Sequence, residues 1–111
     1  PGDVVLVPFP YTERRALYKR PTLIVSARTI GSHWPLAWVL MITSAKNRSW
    51  PGDVDLLDRF ADAGLLDPSV VRTAKITNVE FRDAHRIGRV PKDILDRVMA
   101  EIRANLGLTS G

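Results

Sequence analysis

The chain has no cysteine, which removes disulfides, thiolate metal sites and thiol nucleophiles together. It has two histidines, His33 and His85, far apart and in no H-E-x-x-H arrangement. A histidine-based metal site or catalytic triad therefore has little to build on, and both read more plainly as exposed or turn histidines. No glycine-rich run matches a nucleotide phosphate cradle. Long apolar stretches are also missing. The longest covers residues 34–42 and contains Pro35, far short of the ~20 residues a membrane-spanning helix needs. No secretory leader pattern opens the sequence. These absences suit a cytoplasmic protein with no cofactor, no metal and no membrane contact. A length of 111 residues fits a single domain, 1–111, with one modest core.

What is abundant is positive charge, unevenly placed. Residues 1–50 carry seven Lys/Arg against two Asp/Glu, while residues 51–111 carry nine against ten. The positive potential belongs to the N-terminal half. It favours a polyanion, nucleic acid above all, or an acidic protein partner; a merely solvated basic face is the plainer alternative. The acidic pairs Asp53/Asp55 and Asp93/Asp96 read as solvated groups in a turn and on a helix face.

Apolar patterning predicts strands over residues 4–9, 21–27, 36–43, 53–57, 68–72, 74–81 and 86–90. The first is apolar without interruption, which suggests burial on both faces. Residues 59–65 should make a helical turn closed by Gly64. Residues 11–19 and 44–52 read as basic loops, and 29–35 as a turn region. A helix is expected over 91–106, where Ile94, Leu95, Val98, Met99, Ile102 and Leu106 form one stripe. Pro91 suits its first position and Gly107 its exit. With Val90 before Pro91 no side chain caps the start, so packing must hold the helix. The fold class is mainly β with a C-terminal helix, α+β: a small antiparallel barrel covered by that helix.

The residue types left for chemistry are Arg, Lys, Thr, Ser and aromatics. They suit a reaction whose nucleophile belongs to the substrate, as the 2′-OH does in RNA cleavage. The protein then has to stabilise charge on the phosphoryl oxygens, for which a guanidinium fork is apt. Lys19 and Arg20 stand directly before Pro21 and the second strand. Pro21 biases Arg20 toward an extended conformation, so Arg20 is a pre-aimed cation at the strand's lip. Thr43 closes the third strand in the same way. If both strands end on one rim, Arg20 and Thr43 could meet at one phosphate. The alternatives are an ion-paired arginine and an ordinary strand terminator. The loops add Tyr11, Arg14, Arg15, Tyr18 and Lys19, then Lys46, Arg48 and Trp50. Bases interleaved with aromatics suit a groove that tracks phosphates and stacks bases, or they are incidental surface charge.

The order of these pieces resembles the MazF/PemK family of toxins from type II toxin–antitoxin systems. The resemblance runs through Gly2-Asp3-Val4, Pro8-Phe9, Lys19-Arg20-Pro21-Thr22, Ile42-Thr43-Ser44, Gly64-Leu65, Ser69-Val70-Val71, Lys75-Ile76, Ile87-Gly88-Arg89-Val90 and Leu106-Gly107-Leu108. It implies an SH3-like barrel, a homodimer, and metal-independent endoribonuclease activity on single-stranded RNA leaving 2′,3′-cyclic phosphate and 5′-OH ends. It also implies a cognate antitoxin that fills the RNA groove. It carries the catalytic Arg onto Arg20 and the catalytic Thr onto Thr43, with Ser44 beside it. It places both basic loops and Lys75 at the RNA. Some members have an acid several positions before the conserved Arg. Here Arg15 and Ala16 occupy that stretch, and Glu13 is the acid at hand for a general base. Arg72-Thr73 stand where members often carry an acid. Two rival functions remain: a DNA gyrase poison of the same fold, disfavoured because no Trp lies near the C-terminus, and a barrel that binds RNA without cutting it.

Overall fold

In the computed structural model the described residues are 1–8, 19–27, 30–31 and 35–108. Glu13, Arg14, Arg15 and Tyr18, and also His33, lie outside them. Six strands form one antiparallel sheet in the order β4-β5-β3-β2-β1-β6. They are β1 (Asp3–Pro8), β2 (Lys19–Ile24), β3 (Leu36–Ser44), β4 (Val54–Asp55), β5 (Ser69–Glu80) and β6 (His85–Arg89); helix α1 (Lys92–Asn105) follows. The sheet curls into a half-barrel of the kind expected, with the helix over one face.

The expectation of burial on both sides of β1 holds, and it divides the apolar interior in two. Val4 packs with Leu23, Leu40, Ile42 and Val71 beneath Ile94 and Val98 of α1. Val5 and Val7 pack with Ile24, Ala37 and Val39 on the opposite face. Strands β1, β2 and β3 are apolar at consecutive positions, so successive side chains supply both faces. Thr22 is fully buried among them, and its hydroxyl donates to the Val5 carbonyl at 3.3 Å.

Three expectations need correction. The second strand starts at Lys19, because Lys19 and Arg20 already pair with Pro8 and Val7 of β1; Arg20 is within the strand rather than before it. The segments 68–72 and 74–81 are one strand. Leu40 faces Ile76 while Met41 faces Arg72, so Thr73, Ala74 and Lys75 are extra residues on β5, a bulge that bends it and breaks the alternation. Pro91 is the N-cap of α1, with extended backbone at φ −62°, ψ 155°, and not its first helical residue. No side chain caps α1, and packing holds it: Ile94 and Val98 are buried while Leu95, Met99 and Ile102 pack at the margin. Leu106, the last member of the stripe, is left 66 % exposed.

The turns after Leu57–Arg59 end at Gly64, whose φ is +80°. A Cβ there would run into the Ile87 carbonyl, and one on Gly88 would strike the Ala63 backbone. The two glycines let the 60–65 turn lie directly on β6. Gly107 has a similar φ of +75°, but a Cβ on it would meet nothing. Gly107→Ala should therefore cost only the left-handed penalty of about 1–2 kcal/mol. Gly64→Ala adds an overpacking cost of roughly 1–3 kcal/mol. Denaturant unfolding of both variants checks this; equal losses would contradict the close approach.

Candidate active site

β2 pairs with β1 from Leu23 to Lys19, but with β3 only from Ile24 to Thr22. Beyond Thr22 the two strands part. Pro21 has no N–H to offer either neighbour. Extending the Thr22–Met41 register by two residues brings Arg20 level with Thr43. The gap between them opens into a cleft of about 540 Å³. Arg20 and Pro21 line it from β2, and Ile42, Thr43 and Ser44 from β3. The sheet thus brings together the three residues singled out as catalytic.

The polar wall is organised by the turn after β3. The Asn47 side-chain amide donates to Thr43 Oγ1 at 2.6 Å. Ser44 Oγ accepts the Lys46 N–H at 3.1 Å, and the Ser44 carbonyl accepts the Asn47 N–H at 3.0 Å. Each hydroxyl is held as an acceptor and keeps its own proton to donate. The facing wall is mostly apolar: Leu6, Ile87, and Gly64 to Leu66, with Asp67 at its end. Gly64 and Gly88 create this wall by letting the turn sit against β6. A guanidinium and two hydroxyl donors along one cleft, beside apolar side chains, are groups able to bind phosphoryl oxygens.

A second polar cluster lies beside the cleft without lining it. Arg72 is nearly buried and grips Asp53 with two bonds, Nε to Oδ1 at 3.2 Å and Nη2 to Oδ2 at 3.0 Å. Nη2 also donates to the Arg48 carbonyl at 2.8 Å. The guanidinium stacks on Trp50, 4.4 Å from the ring centroid, and the Lys75 ammonium lies 5.3 Å from it. The Thr73 hydroxyl donates to the Gly52 carbonyl at 2.7 Å. The bulged residues of β5 and its buried arginine thereby tie the 48–53 loop to the sheet.

Comparison with known proteins identifies the chain. Its sequence matches, over residues 1–106, the family described as PemK-like, MazF-like toxin of type II toxin-antitoxin system. The chain belongs to this toxin family. A comparison with curated proteins by sequence gave no match. Among solved structures it is similar to the Mycobacterium tuberculosis toxin MazF-mt6, with TM-score 0.72 and 21 % identity over 97 % of this chain and 99 % of that one. It is also similar to a mycobacterial endoribonuclease in complex with its cognate antitoxin (TM-score 0.72, 19 % identity, 99 % and 96 % covered). A third is the MazE–MazF complex of Deinococcus radiodurans (TM-score 0.70, 22 % identity, 97 % and 94 % covered). At these identities the likeness establishes the MazF fold.

In this toxin the residues expected at the RNA separate into groups. Lys19, Lys46 and Arg48 are exposed on the strand and turn that flank the cleft. Trp50 and Lys75 belong to the Arg72 cluster, where at least part of the indole face is already covered. Asn47 and Asp67 line the cleft but carry no signal in the sequence; an Asn in a basic loop looks like any turn residue. Among the described residues no group of three or more His, Asp or Glu could hold a metal ion, and no helix is long and apolar enough to cross a membrane.

The Gly2-Asp3-Val4 stretch of the toxin has a structural role. Asp3 Oδ1 receives Arg89 Nη1 at 2.9 Å and Arg86 Nε at 3.2 Å, joining β1 to β6. Partial burial alone would raise its pKa, but hydrogen bonds and charge from both arginines outweigh this and hold the carboxyl below its ordinary value of 3.8. A depressed carboxyl pKa stabilises the fold above the unfolded value and loses that effect as pH falls through the folded one. Thermal unfolding of wild type and Asp3→Asn should differ modestly at neutral pH and converge in acid below that range. Asp53→Ala should cost much more, about 3–5 kcal/mol, because it leaves the buried Arg72 charge unpaired.

Proposed function

We propose that this toxin is a metal-independent endoribonuclease that cuts single-stranded RNA. The observation that carries the reading is the convergence of Arg20, Thr43 and Ser44 on one cleft, in a chain of this family. The 2′-OH attacks the adjacent phosphorus, and the bond to the 5′ oxygen of the next nucleotide breaks. A 2′,3′-cyclic phosphate and a 5′-OH end result. The Arg20 guanidinium binds the phosphoryl oxygens as negative charge grows on them, and the Thr43 and Ser44 hydroxyls donate to the same group. Lys19, Lys46 and Arg48 hold neighbouring phosphates. RNA as substrate sets its place of action in the cytoplasm.

An antitoxin is the proposed protein partner, as in the complexes of its structural neighbours, and it would compete with RNA for the cleft. The toxin acts as a homodimer in this reading. An apolar strip supports that: Ile76 and Leu106 line one shallow hollow, and Trp38 lies on the same sheet face, diagonal to Ile76 across the β3–β5 ladder. All three are about half exposed or more. Ile76→Asp should convert a particle of twice the chain mass to a monomer in sedimentation.

Purified protein incubated in EDTA with two unrelated single-stranded RNAs tests the activity. Wild type should give discrete fragments with 5′-OH ends. Arg20→Ala should be slower by roughly 10²–10³-fold, the range for a lost oxyanion donor. Undiminished cutting by the variant would remove Arg20 from the chemistry. Intact RNA with wild type would overturn the ribonuclease reading.

A further inference from the structure

We propose that Asn47 is a positioning residue that sets the direction of the Thr43 hydroxyl proton for the phosphoryl group, a role that rests on the ribonuclease reading. The Asn47 amide nitrogen lies 2.6 Å from Thr43 Oγ1. An amide nitrogen only donates, so Thr43 is the acceptor in this bond. A hydroxyl has one proton and two lone pairs. With a lone pair engaged by Asn47, the proton is directed elsewhere. Both side chains line the cleft with Arg20, so a phosphoryl oxygen bound there is its natural acceptor.

The turn keeps Asn47 in place independently of that bond. Its backbone N–H is held by the Ser44 carbonyl, and Ala45 N–H by the Pro68 carbonyl, both at 3.0 Å. The side chain then reaches back four residues to Thr43. In the free protein this exposed bond competes with water and adds little stability. Once RNA covers the cleft, water leaves and the bond strengthens. Its effect therefore falls on the bound state and the transition state, and so on kcat rather than on folding. Thr43 gains a second benefit: accepting one hydrogen bond polarises its O–H and makes it a better donor.

The experiment compares Asn47→Ala and Asn47→Asp with wild type, and the Thr43→Ala/Asn47→Ala double variant with Thr43→Ala, on one single-stranded RNA oligonucleotide. kcat, KM and thermal midpoint are read for each. Asn47→Ala should lower kcat by roughly five- to twentyfold, the scale of one hydrogen bond, with KM and thermal midpoint near wild type. Asn47→Asp should lower kcat further, because a carboxylate accepts only and draws the Thr43 proton away from the substrate; its charge should also raise KM. In the Thr43→Ala background, Asn47→Ala should have no further effect, since a residue acting only through another is silent once that one is gone. If wild type cuts but Asn47→Ala keeps full kcat, loses as much in both backgrounds, or loses kcat only in step with the thermal midpoint, the positioning role falls and the ribonuclease reading stands. If wild type leaves the oligonucleotide whole, both fall together.

Discussion

The molecule turns on how far β2 can pair. Its ladder with β1 runs to Lys19, whereas its ladder with β3 stops at Thr22. One unpaired stretch in the middle of a sheet creates the cleft and exposes Arg20 on a strand rather than on a loop. A strand paired along one edge has little freedom to swing, so its side chains keep their aim. The charged group is thereby fixed without full burial, which would have imposed a desolvation cost.

Two devices keep the cleft open and shaped. On one side Gly64 and Gly88 allow backbone-to-backbone contact between a turn and β6, which supplies the apolar wall of the cleft that Arg20 also lines. On the other, Arg72 uses the bulge in β5 to anchor the 48–53 loop through Asp53, the Arg48 carbonyl and Trp50. An internal ion pair and a cation–aromatic stack fix this loop against the sheet. The exposed cation Arg48 is thus carried on a backbone held by a frame that does not itself need to touch a substrate.

Much of the architecture was legible. The unbroken apolar run of β1 announced two buried faces, and the stripe of α1 announced its packing side. The bulge in β5 was not legible, because three added residues look like a break between two strands until the partner strand is seen. Leu106 belonged to the stripe by spacing and yet stays exposed, since periodicity records which residues share a face and not where the sheet beneath it ends. Trp50 resembled a base-stacking residue, but Arg72, a distant residue in sequence brought alongside by the fold, stacks on its ring.

The sequence alone determined residue chemistry and local geometry: a guanidinium pre-extended by Pro21, a hydroxyl at the end of an apolar strand, glycines where the chain must turn or touch. Tertiary structure decided which of these meet. Arg20 and Thr43 line one cleft because antiparallel pairing lays β2 beside β3, although the two are distant along the chain. Asn47 joined them because a turn returned its amide to Thr43, and Lys75 was drawn to Trp50 by a bulge. Register, bulges and strand ends are properties of paired strands, and no single stretch of sequence contains them.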